Sequence, residues 1–469
     1  MGRADGLPAI IQGGMGVAVS DWNLAHAVAS VGQLGVVSGT ALDAVFARRL
    51  QNGDDGGHMR RALAAFPYPD VATELLDTYF IDGGRNGRPY RPIPKTTLNA
   101  DRKHEILSVA ANFCEVWLAK QSGGHIGINF LTKLQMATPA AMYGAMLAGV
   151  DAVLMGAGIP REIPRLMDDY AAGKAGSVSV DSILAPGIET PHVTFDPAIT
   201  FGHAPELPRP AFLAIVTADT LANYLAKKDD TRPDGFVVEH WRAGGHNAPP
   251  RRMQATESGF GPLDEVNLEK MVTVGLPFWL AGGRATRATF RDALAHGAKG
   301  VQIGSLFAMS SDSGLRADLR QQMLDLARSN ALSVRTDHRA SPTGFPFKVV
   351  EIKGTIGDRA TYEARPRLCD LSYLRTPKID ADGKVRYVCA SEPEKKYIDK
   401  GEDPADLVDR LCLCNGLMAS VGLGQERADG YHEAPLLTLG SSTGEVAEML
   451  ELFPDGWSAA DLVRTLTEA

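Results

Sequence analysis

Cysteine is scarce: the chain of 469 residues has five, Cys114, Cys369, Cys389, Cys412 and Cys414. The number is odd and the N-terminus, MGRADGLPAIIQGG, has neither the charged head nor the apolar stretch of an export signal. Reduced thiols in a cytoplasmic protein are therefore expected, and a disulfide framework is excluded. The Cys412-x-Cys414 pair lacks zinc spacing and a second ligand pair, so no metal is expected either. A basic excess is also missing. With 48 Lys and Arg dispersed among 56 Asp and Glu, the formal net charge is −8, which excludes the electrostatic footprint of a nucleic-acid binder and leaves a small molecule as the expected partner. No long apolar run occurs. The most membrane-like stretch, 140–158, is rich in glycine, contains Asp151 and reads as a helix followed by a strand, so no membrane span is expected.

Glycine and proline, by contrast, are plentiful, at 49 and 28 residues, as in a globular chain with many tight loops. The length exceeds what one core usually organises and predicts a barrel-sized domain with a smaller accessory one. No internal repeat is visible.

Short apolar runs suited to buried parallel strands recur at Pro8–Ile11, Leu34–Ser38, His125–Phe130, Ala152–Met155, Ala211–Val216, Gly235–Glu239, Pro277–Ala281 and Gly300–Ile303. Each ends in a Gly-rich or polar turn, and most are followed by a helical pattern. The expected helices are Trp22–Ser30 after Ser20-Asp21, Pro139–Leu147 after a Thr138 cap, Thr220–Lys227, and Arg287–His296 ending at Gly297. Eight such strands joined by crossovers predict an α/β fold, a (β/α)8 TIM barrel over 1–315; a doubly wound open sheet is the rival. About eighty residues after the second strand, 41–121, are too many for a loop and predict an inserted subdomain with a helix at Lys103–Lys120. The Pro- and Gly-rich segment 173–210 is expected to decorate the barrel top. After Ser313 the alternation fades, and 316–469 reads as a mainly helical accessory extension with short strands near Phe347–Ile352 and Val385–Val388.

Ligands of such barrels sit at the C-terminal ends of the strands. There, the sixth strand runs into Glu239-His240-Trp241-Arg242-Ala243-Gly244-Gly245-His246, in which glycines let backbone amides approach a flat ligand before a histidine, the candidate acid or base, projects inward. The seventh ends in Ala281-Gly282-Gly283 and the eighth in Gly304-Ser305. Glycine amides on these two adjacent loops, with a serine hydroxyl and a short helix N-terminus, form a recurring device for a phosphate dianion. The bland alternative is a set of tight turns without a ligand.

Ile11-Gln12-Gly13-Gly14-Met15-Gly16, Gly127-Ile128-Asn129-Phe130, Ala243-Gly244-Gly245-His246, Ala281-Gly282-Gly283 and Gly300-Val301-Gln302-Ile303-Gly304-Ser305 resemble, in order, the motifs of the nitronate monooxygenase (2-nitropropane dioxygenase-like) family. The same set is similar to that of FMN-dependent enoyl-carrier-protein reductases. The resemblance covers roughly residues 5–315 without the insertion. It implies an FMN cofactor, with Gln12, Gly13 and Asn129 beside the isoalloxazine, Ala243, Gly244 and Gly245 flanking it, and Gly282, Gly283, Gly304 and Ser305 on the phosphate. His246 would face the substrate as a base or as a positive charge near a nitronate, titrating near neutrality.

The implied activity is oxidation of nitronates with dioxygen. The alternative is NAD(P)H-dependent enoyl-thioester reduction serving a fatty acid or polyketide synthase, with an acyl carrier protein as partner. A third option is a phosphate-binding barrel without catalysis. Two departures stand out: Ser305 replaces the usual threonine, and His240-Trp241-Arg242 replaces small or acidic residues. Trp241 and Arg242 read either as packing and surface groups or as a narrowed, anion-binding pocket. Ser341-Pro342-Thr343-Gly344-Phe345-Pro346-Phe347-Lys348 and Cys412-Leu413-Cys414-Asn415-Gly416 look like segments of a longer-chain subgroup, either docking the extension or forming a lid. The basic run Arg85–Lys95 reads as a solvated loop before it reads as a carrier-protein surface, and His125 as structural packing. Whether insertion and extension make a lid, a homodimer contact or a partner surface is left open by the residues alone.

Overall fold

The computed structural model describes residues 2–468. Eight parallel strands, β1 (Ile10–Gln12), β2 (Gly35–Ser38), β3 (Ile126–Leu131), β4 (Ala152–Gly156), β5 (Ala211–Val216), β6 (Gly235–Glu239), β7 (Phe278–Ala281) and β8 (Gly300–Ile303), pair in sequence, and β8 returns to β1. An Ile11–Leu34 bridge joins β1 to β2, with Gln12 N donating to Leu34 O at 3.0 Å and Leu34 N to Ile10 O at 3.1 Å. The sheet is thus a closed (β/α)8 barrel, and the open doubly wound sheet is excluded. All eight strands lie where the apolar runs placed them, because strands buried on both faces read as uninterrupted apolar segments.

Side chains of alternate residues fill the barrel. Ile11, Val36, Leu154, Leu213, Val237 and Trp279 form a closed interior cluster, plugged at its N-terminal end by Ala4 and Leu7. Trp279 is fully buried and its indole N–H donates to Pro8 O at 2.9 Å. The interior is therefore solid, and a ligand has room only above the last layer, at the strands' C-terminal ends.

The helices follow the patterning closely, at Trp22–Ser30, Thr138–Leu147, Asp219–Ala226 and Arg287–Ala295. Asp21 caps the first, accepting from Asn23 N and Leu24 N. Gly297 follows the last at φ +82°, the left-handed turn glycine suits. Thr138 does not cap: it lies inside its helix and its hydroxyl donates back to Leu134 O at 3.1 Å. His125 is exposed rather than packed.

The 41–121 segment holds helices at Leu42–Gln51, His58–Ala64, Pro69–Tyr79 and Arg102–Lys120. The last packs on Trp22–Ser30 and Thr138–Leu147 and is buried over most of its length. Across this seam Arg49 bonds Glu115 at 2.8 Å and Asp21 at 3.0 Å. Within 173–210, strands Gly176–Ser179 and His192–Phe195 pair antiparallel.

The extension is mainly helical, with antiparallel pairs Val334–Asp337/Phe347–Val350 and Thr376–Ile379/Val385–Val388. It wraps the barrel rather than standing apart. Trp457 Nε1 donates to Leu306 O at 2.8 Å, and helix Ala459–Thr467 packs on Trp22–Ser30. No helix among the described residues is long and apolar enough to cross a membrane.

Candidate active site

A cleft opens at the C-terminal end of the barrel, where the alternation that buries Val237 turns Glu239 inward and that of β3 does the same for Asn129. Gly13, Asn129, Ala243, Gly244, Gly245, His246, Gly282, Gly283, Gly304 and Ser305 all line it. Residues distant in sequence are thus brought to one site.

Gln12 is not in the wall. Fully buried, its side chain accepts from Val36 N at 2.9 Å and donates to Ser20 Oγ at 2.8 Å. Ser20 Oγ in turn accepts from Met15 N at 3.0 Å and donates to Gly13 O at 3.0 Å. Gln12 and Ser20 therefore act from behind, fixing the Gly13–Gly16 turn that forms one side of the cleft. A Cβ on Gly14 would stand 2.3 Å from Asn129 Cβ, so this turn is pressed onto β3.

At one end the cleft is built for an anion. Gly282 and Gly283 have φ of +88° and +72°, and among the described residues no partner is recorded for the N–H of Gly282, Gly283 or Arg284. Ser305 stands at the N-terminus of the single-turn helix Ser305–Ala308. Its hydroxyl accepts from Gly440 N at 2.8 Å, and a Cβ on Gly283 would lie 2.7 Å from Ser442 Oγ. Arg242 and Arg284 line the same end. Unpartnered amides and the Ser305 and Ser442 hydroxyls meet at this end as phosphate recognition requires, with Arg242 beside them, while the Arg284 guanidinium is already paired with Asp292 at 2.7 Å. Glu445 is the opposing acid: Ala285 N donates to it at 2.9 Å, and burial raises its pKa.

The Gly440–Glu445 wall comes from the extension and was missed in the sequence. Its signal was there, as Gly440-Ser441-Ser442-Thr443-Gly444 running into helix Gly444–Leu452, small and hydroxylated residues ahead of a helix.

The floor is polar and unsatisfied. Gln302 Oε1 is buried without a partner, and its amide packs where a Cβ of Gly13 would be, at 3.5 Å. Glu239, which lines the cleft and has no ion-pair partner among the described residues, is pushed by burial up to about 8, so its carboxyl is largely protonated at neutral pH. A buried orphan acceptor, a neutral carboxyl and a glycine-lined anion end fit a planar heterocycle carrying a phosphate, as FMN does. The folded pKa of Glu239 is raised, so the folded chain binds the extra proton and stability falls as pH rises from the unfolded carboxyl value to about 8. Glu239→Gln is therefore expected to stabilise the protein at pH 9 and not at pH 4, measured by urea unfolding; a pH-independent difference would contradict this reading.

His246 follows Gly245, whose φ is +77°. The loop is held by Gly245 N on Thr438 Oγ1 at 2.8 Å and Lys348 N on Gly245 O at 2.9 Å. The imidazole packs edge-on against Phe347, and its Nε2 lies 2.7 Å from Ser341 Oγ, itself 2.7 Å from Thr343 Oγ1. Phe347 thus lines the cleft, and the buried Ser341 supports the histidine from behind it. Burial first, then the Lys133 ammonium, lowers the His246 pKa to about 4. The ring is neutral at neutral pH, so the expectation of titration near neutrality, and with it a positive charge on His246, is corrected.

Trp241 stacks on Phe260 with centroids 5.5 Å apart, and the Arg242 guanidinium lies over the Trp241 ring, 5.1 Å from its centroid. Trp241 therefore packs, and Arg242 lines the cleft. Arg85 of the basic run is not free, being bonded to Glu426 at 2.7 Å and stacked on Tyr90. The Cys412-x-Cys414 pair belongs to no metal-ligand group among the described residues.

A family model described as nitronate monooxygenase matches residues 204–343. Among curated proteins none matches the chain. Similar solved structures include FabK from Thermotoga maritima, at 16% identity over 99% of this chain and 94% of that one with a TM-score of 0.46. Nitroalkane oxidase from Streptomyces ansochromogenes gives 15%, 98%, 94% and 0.45. The enoyl reductase domain of MlnA from the macrolactin biosynthesis cluster of Bacillus amyloliquefaciens gives 12%, 99%, 95% and 0.46. The strand pairing makes the chain a (β/α)8 barrel, and its segment 204–343 is similar to nitronate monooxygenases.

Proposed function

We propose that this protein is an FMN-dependent oxidoreductase whose substrate binds beside His246, and that it oxidises a nitronate or a similar carbanion with dioxygen. The observation that carries the reading is the cleft itself: an amide-lined anion end, a polar floor with an orphan acceptor, and a half-buried neutral histidine in one continuous wall. Gly282, Gly283, Arg284, Gly304 and Ser305 would hold the phosphate, and Gln302, Glu239 and Asn129 would face the ring. The flavin supplies the electron chemistry when bound.

The remaining steps belong to the chain. A histidine with a pKa of about 4 is a weak base, so it orients a substrate that arrives already ionised and has no need to take a carbon-bound proton. Ser341 engages Nε2, which leaves Nδ1 as the ring nitrogen open to a ligand. Lys133 supplies the nearby positive charge, and the glycine-rich loops with the extension's wall limit water in the cleft.

One observation favours a second reading, reduction of an enoyl thioester by NAD(P)H. The wall contributed by Leu374, Leu413, Leu417 and Leu439 of the extension, with Leu131 and Leu134, is apolar enough for an acyl chain, and an acyl carrier protein would then be the partner. Anaerobic mixing separates the two. Bleaching of the bound flavin by a nitronate and not by NADH or NADPH supports the first reading. Rapid bleaching by either nucleotide supports the second.

A further inference from the structure

A second cavity lies in the extension, outside the cleft and sharing no wall residue with it. Arg365, Arg367 and Arg410 line it together with Tyr362, Ser391 and Cys412. Three guanidiniums around one small space repel one another unless negative charge compensates them. Only Arg365 has such a partner: its Nε lies 2.6 Å from Glu433 Oε1.

Arg367 and Arg410 have no carboxylate partner among the described residues. Arg367 donates Nε to Glu392 O at 3.2 Å, Nη1 to Leu407 O at 3.2 Å and Nη2 to Ala390 O at 2.6 Å. Arg410 donates Nε to Asp406 O at 3.2 Å, and Nη1 to Arg339 O and Ser341 O, each at 2.7 Å. Carbonyl oxygens hold a guanidinium in place without cancelling its charge, and each of these groups keeps N–H donors to spare. The acid in the wall, Glu363, is bonded to Arg359 at 2.6 Å. Two positive charges are left facing the cavity, with the Tyr362 hydroxyl as a further donor.

We propose that this cavity binds a phosphate dianion, free or as a phosphate monoester, through Arg367 and Arg410 with help from Arg365. Charge sets the choice: two uncompensated guanidiniums match a dianion, and their planar forks match phosphate oxygens bidentately. The site adjoins the cleft without joining it. Cys412 faces the cavity whereas Leu413 and Cys414 line the cleft, and the Arg410 guanidinium bonds the carbonyl of Ser341, whose hydroxyl touches His246.

The test is calorimetric titration of inorganic phosphate into the full chain at constant ionic strength, reconstituted with one equivalent of FMN and freed of the excess, so that the anion end of the cleft is filled while no free phosphate monoester competes for the second cavity. Saturable one-to-one binding is expected, weakened tenfold or more in Arg367→Gln and in Arg410→Gln, and unchanged in Arg291→Gln, whose side chain lies elsewhere on the surface. Arg367→Lys, which keeps the charge, is expected to lose less than Arg367→Gln and guards against a Gln variant that fails to fold. Adenosine 2′,5′-bisphosphate binding tenfold more tightly than inorganic phosphate would identify a monoester as the ligand. Equal or weaker binding would identify the free ion. Absence of saturable phosphate binding to the wild-type protein, or affinity unchanged in both Gln variants, overturns the proposal.

Discussion

His246→Ala is expected to leave FMN bound and to lower turnover by about a hundredfold, the scale on which the loss of substrate positioning acts. The asymmetry follows from the geometry. His246 projects from the end of the Gly244-Gly245 turn, while the anion end of the cleft is built by Gly282, Gly283, Gly304 and Ser305, so removing the imidazole leaves that end intact. The His246 ring is held on one side by Phe347 and on the other by Ser341 Oγ at 2.7 Å. Ser341→Ala is accordingly expected to cost about tenfold in turnover. Combined with His246→Ala it should add almost nothing, because residues acting through one group are not additive. Steady-state kinetics on the four proteins, with flavin content measured on each, checks both statements. Normal turnover in His246→Ala, or a full further loss in the double variant, would contradict them. Since burial and Lys133 hold the His246 pKa near 4, its ring should also show no titration between pH 5.5 and 8 by NMR.

Gly282→Ala is expected to do the reverse, lowering FMN affinity by about a hundredfold, a loss of ~2.7 kcal/mol. At φ +88° an added Cβ is strained and would stand 3.0 Å from both Ala243 N and His240 O. The loop must shift at the point where its amides face the anion end. Fluorescence titration of the apoprotein with FMN measures the loss, and wild-type affinity in this variant would show that the β7 loop does not hold the phosphate.

The barrel was legible because its strands are buried on both faces and read as plain apolar runs, and the Ala-Gly-Gly-His, Ala-Gly-Gly and Gly-Ser turns each close such a run. Other parts of the site were hidden for physical reasons. Gln12 sits beside the glycine turn in sequence, yet its hydrogen bonds to Val36 and Ser20 put it behind the wall; alternation along a three-residue strand does not specify which way a terminal amide turns. The neutral state of His246 depends on burial by Phe347 and on Lys133, both far away in sequence. Ser442 and Gly440 reach the cleft, and Ser341 reaches His246, only because the extension folds back over the barrel mouth, a long-range contact that local periodicity cannot report. The Thr138 hydroxyl, a capping candidate on residue type, bonds the preceding turn instead because its helix begins directly from the turn that ends at Ala137.

The central claim is that the cleft binds FMN, and the most direct measurement is the visible spectrum of the purified chain after reconstitution with FMN and removal of the excess. A bound flavin absorbing near 450 nm at about one equivalent, lost in Gly282→Ala and kept in His246→Ala, is the predicted result. A colourless protein that takes up no flavin would contradict the account.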